Sequence, residues 1–406
     1  MIVINKLLQR AVLALIFFAS CSQDDISNSI INPDTYAEKK IQFESAANFN
    51  DITDTPTLTS FNGSTGTNLD HTDFAVFAAM TDQTSYNGTT HHFNWMYQAK
   101  IKENPAGWIY ESLGGDYFFD YWNPDGLHSF FAFAPYDAIH SDNVHGFSGV
   151  TLSPASIETK VTPKLADFHV PTNSIKQGVD LMYASAMNIE GNKFPSGGIQ
   201  GEDFPVLGKV LLPFYHALAQ VSFDFKLHDN LKAYLDSHSN DYVEIRKVGF
   251  IHVKNSGTFS FYSNGQAEWV HTYGNTSIVW GGNDEGIFES AQWSSLLGTA
   301  NTISSIPHTD TTGKTYIATM IPQEFTESSA IVLEYYRHSR RDQNGGIFTI
   351  TYPLHKISSL PVSITGSKVF KQGENYKFTI TIDNGEEAKF LVQLTDWVIK
   401  QATLPL

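Results

Sequence analysis

The sequence has one cysteine, Cys21, in 406 residues. A disulfide within the chain is therefore excluded, and stability must come from buried apolar area. Charged residues are scarce at 17%, whereas aromatic residues reach 13%, and this composition favours a β-rich sandwich over a helical bundle. After the N-terminal segment, no run approaches the ~18 apolar residues of a membrane-spanning helix.

Basic residues are outnumbered by acidic ones, 26 to 42, which gives a formal net charge of −16. Nucleic acid binding requires a basic face for the phosphates. The charge therefore argues against a nucleic acid partner.

The motifs of common enzyme classes are also missing: the Gly-x-Ser-x-Gly elbow, the His-Glu-x-x-His zinc helix, the Gly-x-Gly-x-x-Gly loop and the phosphate loop. Fifteen histidines are scattered without ligand spacing. The tightest pair is His91-His92, but neighbouring strand residues point to opposite faces, so surface or loop histidines are expected there. His216 is expected to be a hydrogen-bonded structural residue. We expect no catalytic residue, no cofactor and no metal site.

The N-terminus predicts export. Lys6 and Arg10 precede an apolar run over residues 11–18, which has the length of a signal h-region and is too short to span a bilayer. Small residues Ala19 and Ser20 then lead to Cys21, which resembles the lipobox cysteine of bacterial lipoproteins, although Phe18 departs from the usual aliphatic residue. Residues 1–20 are thus predicted as a signal peptide and Cys21 as the lipidation site. Removing the signal lowers the net charge to −18, because it carries two basic residues and no acidic one.

Residues 21–40 are predicted to form a tether or propeptide. The segment is polar, and Ser22-Gln23-Asp24-Asp25 directly after the cysteine resembles the acidic surface-export tag of Bacteroides lipoproteins. A lipid chain anchors a protein because each buried methylene contributes about 0.8 kcal/mol. The expected location is the cell outer membrane, facing outwards.

A two-residue period dominates from residue 41 onwards. Tyr376, Phe378, Ile380 and Ile382 alternate with polar residues up to Asn384-Gly385, a strong hairpin signal, and the return strand places Ala388, Phe390, Val392 and Leu394 on one face. Other predicted strands are 74–80, 129–134, 221–227, 243–253, 258–262, 316–321, 330–336 and 346–354, with a tight turn at 263–265 and one short helix at 230–238. Many short strands separated by turn residues indicate antiparallel sandwiches.

Residues 189–205 are rich in turn-forming residues, which predicts a boundary between two domains in this segment. The first domain is predicted over residues 41–200 and the second over residues 201–406. The aromatic segment from Asp116 to Trp122 is interpreted as sandwich packing, with stacking on sugar rings as the alternative. Only residues 401–406 follow the last strand, and Thr403 to Leu406 either extend a donated strand or fray.

Several short sequence segments, which follow the lipobox in a fixed order, resemble those of the fimbrillin-like lipoproteins of the Bacteroidales, the subunits of type V pili. They are FAVFA from Phe74, YWNP from Tyr121, LHSFFAFAP from Leu127, DLMYA from Asp180, LPFYHALAQV from Leu212 and a final Asp396-Trp397. The resemblance implies two transthyretin-like antiparallel β-sandwich domains and no enzyme activity. It also implies proteolytic removal of a first strand after a basic residue, so that a neighbour's strand completes the sandwich and a fibre grows.

The chain departs from that pattern in its basic residues. After Arg10 the next arginine is Arg246, and Lys39-Lys40 is the only basic pair in the expected region. Either the pair is the processing site or the subunit keeps its lipid and acts as an anchor; the pair can equally be a solvated part of the tether.

The leading hypothesis is thus a subunit or anchor of a surface fimbria that mediates adhesion, with other fimbrial subunits, the outer membrane and a host or bacterial surface ligand as partners. The alternative is a surface lipoprotein that binds glycans without polymerising. A hydrolase with a noncontiguous pair of carboxylates comes third, without a supporting motif.

Overall fold

The computed structural model describes residues 42–47, 74–88, 91, 96–104, 107–111, 117–118, 126–134, 136, 163–170, 172, 180–191, 209–238, 241–280, 302–306, 308–309, 315–316, 318–338, 346–383 and 388–396. The first nine strands are β1 Gln42–Ala47, β2 Phe74–Thr81, β3 Met96–Asn104, β4 Gly107–Glu111, β5 Tyr117–Phe118, β6 Leu127–Ala134, β7 Lys164–His169, β8 Met182–Glu190 and β9 Lys209–His216. The next six are β10 Ala219–Leu227, β11 Tyr242–Val253, β12 Ser256–Phe261, β13 Ala267–Tyr273, β14 Thr276–Trp280 and β15 Thr302–Ile306. The last nine are β16 His308–Thr309, β17 Thr315–Tyr316, β18 Ala318–Met320, β19 Gln323–Glu324, β20 Ala330–His338, β21 Gly346–Pro353, β22 Val369–Phe370, β23 Glu374–Ile382 and β24 Ala388–Asp396. Helix α1 spans Asp229–Ser237 and a 3-10 helix spans Leu354–Lys356.

The first sheet has eight strands in the order β1-β9-β8-β6-β2-β3-β4-β5. Its central strands are buried on both faces, since all but one residue of β2 and of β6 are buried. Successive side chains of a strand point to opposite faces, so a strand covered on both sides reads as a continuous apolar run. This explains why residues 74–79 and 130–134 are almost wholly apolar. Strand β1 also lies against β4, so the sheet curls around the core on one of its faces.

Two further sheets form a sandwich downstream. One has the order β15-β10-β23-β24 with β18 also paired to β10, and the other has the order β14-β11-β20-β21. The core between them is aromatic: the Phe223 ring lies 5.9 Å from Phe250, 5.5 Å from Phe378 and 5.8 Å from Trp280. The inward residues of β23 are fully buried, and the predicted alternation over Tyr376–Ile382 is confirmed.

A three-stranded sheet, β13-β12-β7, packs against the first sheet. Phe261 of β12 lies 5.1 Å from Phe131 and 5.0 Å from Phe133 of β6. The predicted turn after β12 is present: Gly265 has φ +86°, its N–H donates to Tyr262 O, and Ser185 Oγ of β8 donates to its carbonyl at 2.8 Å. A Cβ at Gly265 would lie 2.5 Å from Ser185 Oγ, so both the turn and the close approach require glycine.

Among the described strand residues, three other than glycine have positive φ: Asp167, Asn188 and His252, at 55–58°. Each coincides with a shift in strand register, in the β7–β12, β6–β8 and β11–β14 pairs respectively. One inserted residue in the left-handed region is the geometry of a β-bulge, which bends and twists the strand locally. These bulges therefore shape the sheets where they pack on one another.

The predicted all-β sandwich class is confirmed, as are the hairpin β23–β24, the short helix and most strands. Two pairs depart from the antiparallel expectation, because β1 pairs with β9 and β10 with β23 in parallel. The predicted strand 316–321 is two short strands, since β17 pairs with β16 whereas β18 pairs with β10. The chain passes from the first sheet to the sandwich between His216 and Ala219, and the domain division at residue 200 stays a prediction.

Candidate strand-exchange site

Strand β1 is the terminal strand of the first sheet. It pairs with β9 alone, in parallel, from Gln42 opposite Lys209 to Ala47 opposite Phe214. A six-residue parallel ladder at an edge is a weak attachment, because parallel pairing is slightly less stable per residue than antiparallel pairing. An edge strand also leaves one row of N–H and C=O groups for another extended chain. At this end of the sheet β1 is attached through one ladder, to β9, and β4 lies beside it.

The residues of β9 that line the core are fully buried. Val210, Leu212 and Phe214 each have 0% exposure, and the Phe214 ring meets Phe74 of β2 edge-on at 5.4 Å. They belong to the core on the concave side of the first sheet, with Ile101 and Met182. Without β1, the backbone edge of β9 would be open beside this apolar layer. The pair β1–β9 thus combines main-chain hydrogen bonding with alternating apolar positions, the two features that strand addition uses.

A buried ionisable pair fixes the far end of β9. His216 Nδ1 and Asp180 Oδ1 are 2.8 Å apart, and both residues are almost inaccessible, at 5% and 3% exposure. Burial raises the pKa of the Asp180 carboxyl, while the neighbouring His216 acts in the opposite direction. The bond ties Asp180, two residues before β8, to the last residue of β9. It therefore helps to set the position of the strand that β1 pairs with. His216 is hydrogen-bonded and structural, as the sequence predicted.

The chain leaves β9 through a tightly bonded junction. Trp269 Nε1 donates to Ala217 O at 2.5 Å, Ala217 N donates to Leu181 O, and Gly373 N donates to Leu218 O at 2.9 Å. These bonds come from β13, from the start of β8 and from the approach to β23. The first sheet and the downstream sandwich are therefore held together directly where β9 passes into β10.

The processing and lipidation residues predicted from the sequence, Cys21, Lys39 and Lys40, lie outside the described residues, as do residues 401–406. Within the aromatic segment 116–122 only the backbone of β5 is described. These assignments stay predictions. The sequence pattern does not predict β1 as a strand, because the apolar residues of QFESAA do not alternate strictly. The feature that points to it is its position directly after the basic pair, since β1 begins two residues after Lys40.

Of the histidine pair His91-His92, His91 is described and His92 lies outside the described residues. His91 Nδ1 accepts from Asn87 N at 3.3 Å and the ring packs 6.0 Å from Tyr86, which is a loop role. Among the described residues, no group of three or more His, Cys, Asp or Glu side chains is placed to hold a metal ion. The same residues include no helix that is long and apolar enough to cross a membrane.

Comparison with known proteins places the chain in a family. The sequence model of the fimbrillin-like family matches residues 59–397. No curated protein matches the chain.

Solved structures of similar fold include a candidate cell adhesion protein from Bacteroides uniformis, 15% identical over 88% of this chain and 99% of that chain with a TM-score of 0.45. A second, from Parabacteroides distasonis, is 10% identical over 91% and 100% of the two chains with a TM-score of 0.42. The fimbrial anchor protein Mfa2 from Porphyromonas gingivalis is 10% identical over 89% and 98% with a TM-score of 0.34. At these sequence identities and TM-scores, the structural similarities carry no argument about the function of this chain.

The family match covers most of the chain and agrees with the all-β architecture. It supports a fimbrial, adhesive and structural role at the cell surface, with other fimbrial subunits as the class of partner. The chain belongs to the fimbrillin-like family.

Proposed function

We propose that the chain is a subunit or anchor of a cell-surface fimbria, tethered to the outer membrane by lipid on Cys21 and joined to neighbouring subunits by strand exchange at β1. Membership of the fimbrillin-like family supports the fimbrial role. The single observation behind the exchange site is the position of β1, at the end of the first sheet and paired with β9 alone. Repeated exchange between successive copies does not close on itself, so it builds a filament.

The connection between β1 and β2 gives β1 room to leave. Residues 48–73 separate the two strands, and 26 residues can span on the order of 90 Å when extended. Displacement of β1 therefore does not require β2 to move. A neighbour's strand would recover the six-residue ladder along β9 and cover the same apolar layer.

The distribution of basic residues decides how β1 can be freed. No lysine or arginine lies between Lys40 and Lys100. A protease that cuts after basic residues can therefore separate the lipid from β1 at Lys39-Lys40, but it leaves β1 attached to the sheet. We accordingly assign exchange to displacement of β1 rather than to its removal. An uncut chain keeps its lipid and stands at the base of the fimbria, whereas a cut chain can enter the shaft.

A disulfide between β1 and β9 tests the exchange site. Glu44 and Leu211 are partners in the register, so Glu44→Cys with Leu211→Cys is expected to lock β1 in place. The locked chain should fail to enter fimbriae or to form detergent-resistant ladders, and a reductant should restore both. Glu44→Cys alone is the matched control and should assemble normally. Assembly of the oxidised double variant at the level of the unmodified chain would refute exchange at β1.

The tether is tested separately. With Lys39→Gln and Lys40→Gln, a chain that is normally processed there should remain in the membrane fraction and keep its lipid, as seen by mass spectrometry. Cys21→Ser should release the chain from the membrane in either case. A monomeric chain that never forms ladders, yet binds a polysaccharide, would replace the fimbrial proposal with the glycan-binding alternative.

A further inference from the structure

The described strands include two parallel pairs, β1 with β9 and β10 with β23. Both pairs lie on one course of the chain, because β9 ends at His216 and β10 begins at Ala219. A load applied to β1 crosses the first ladder into β9 and follows the covalent backbone into β10. It then reaches the sandwich through the ladder between β10 and β23. The two parallel ladders therefore lie in series.

The sandwich continues the molecule beyond the C-terminal end of β9. Passages of two residues lead from β9 into β10, from β11 into β12 and from β13 into β14. The last two passages face each other, because β11 pairs with β14 on one side of them and β12 pairs with β13 on the other. Trp269 Nε1 of β13 donates to Ala217 O, in the first passage, at 2.5 Å. The first sheet and the β13-β12-β7 sheet thus meet the sandwich end to end.

The parallel direction of β1 decides how such a load acts on its ladder. The first residue, Gln42, lies opposite Lys209, and the last, Ala47, lies opposite Phe214, so Gln42 is at the end remote from the sandwich. A pull on the chain before Gln42, directed away from the sandwich, draws β1 along its own axis. The evenly spaced hydrogen bonds of a parallel pair then carry the load together. In an antiparallel pair the same pull would open the bonds one after another from the junction.

We infer that the β1–β9 ladder is a mechanical clamp, which holds the N-terminal segment to the body of the chain against a lengthwise pull. Resistance to force depends on the rate of rupture rather than on equilibrium stability. An edge strand that exchanges sideways in an unloaded chain can therefore still hold under tension. The tension itself rests on the proposed function, in which lipid on Cys21 fixes one end of the chain while the fimbria pulls on the other.

The β1–β9 ladder is the one that should yield first. It has six register pairs, whereas the ladder between β10 and β23 has eight, and β10 is also paired with β15 and β18. Release of β1 moves the point of attachment from Gln42 to Phe74, the start of β2. The molecule should then lengthen by up to about 110 Å, the extended span of the intervening 32 residues. This length identifies the event.

Single-molecule pulling on the mature chain, residues 21–406 in lipid-free form, tests the clamp. Cys21 is the only thiol and takes one handle. An azide-bearing amino acid in place of Lys247, which is exposed on the central strand β11, takes the other. The matched control moves the thiol to the opposite end of β1, as Cys21→Ser with Asn48→Cys, so that the same ladder is peeled from Ala47. At one loading rate, the rupture force through Cys21 should be several-fold higher than through the control.

An equal or lower force through Cys21, or a first rupture without the expected lengthening, would overturn the clamp. Neither result bears on strand exchange, which is judged by assembly of the variant with β1 locked to β9. Conversely, a chain that carries no lipid or forms no fimbriae would refute the proposed function and leave the measured difference in force unchanged.

Discussion

The buried pair Asp180–His216 gives the sharpest stability prediction. Replacing Asp180 by alanine leaves His216 buried without the carboxylate 2.8 Å away, and removing one partner of a buried pair costs about 3–5 kcal/mol. Asp180→Asn keeps a side chain of the same shape that can donate or accept a hydrogen bond, so its cost is expected near 1 kcal/mol, the net value of one hydrogen bond. In the double variant Asp180→Ala with His216→Ala, neither partner is stranded. The double loss should therefore fall below the sum of the single losses by about 1.5–3 kcal/mol.

Urea unfolding followed by tryptophan fluorescence measures these losses as shifts in the midpoint multiplied by the slope. The matched control is Asp236→Ala, because Asp236 also has a partner at 2.7 Å, Lys232, but its side chain is 42% exposed. An exposed helical pair of this spacing contributes only about 0.3–0.5 kcal/mol. Strict additivity of the two single variants, or a cost for Asp180→Ala as small as that of the control, would show that the pair does not fix β9.

Three further outcomes follow from packing and titration. Phe223→Ala removes a ring that packs against those of Phe250, Trp280 and Phe378, among others, and should cost about 3–5 kcal/mol. Ile364→Ala, at a fully exposed position, should change the free energy of unfolding by less than about 0.5 kcal/mol; equal effects would contradict the assigned core. A Cβ at Gly249 would lie 2.1 Å from Ile278 O of β14, so Gly249→Ala should destabilise by about 1–3 kcal/mol in the same assay, and a neutral result would mean that β14 can move away freely. Burial, and the hydrogen bond to Glu374, raise the pKa of the Tyr376 hydroxyl in the folded chain. The stability that this hydroxyl contributes is therefore fully present when the pH is below its pKa in the unfolded chain, and it is lost as the pH rises towards its pKa in the folded chain. The unfolding midpoint should therefore fall above about pH 10, and Tyr376→Phe should flatten that fall; an unchanged slope would assign the loss to other tyrosines.

Local patterns in the sequence predicted most of the strands. The alternation over Tyr376–Ile382 and the turn at Gly265 were readable because each depends on neighbouring residues: a two-residue period for a half-buried strand, and a positive φ for a tight turn. Strand β1 was missed because its short sequence has no strict alternation. It is held by pairing with β9, 167 residues later in the chain (Gln42 opposite Lys209), and such a contact leaves no local signal.

The edges could not be predicted for the same reason. The sequence of β21 reads as an ordinary strand, and only the order of the described strands shows that it lies at the end of its sheet. Likewise, His216 could be expected to be structural, but its partner Asp180 lies 36 residues away and is set by the pairing of β8 with β9.

The sequence by itself determined the export signal pattern, the acidic charge, the lack of thiol chemistry beyond Cys21 and the β-sandwich class, because each depends on composition or on residues close together in the chain. The tertiary structure decided which of the described strands lie at edges and which ionisable groups are buried as pairs. Those properties arise from hydrogen bonds and packing between residues far apart in sequence, and only the folded arrangement brings them together.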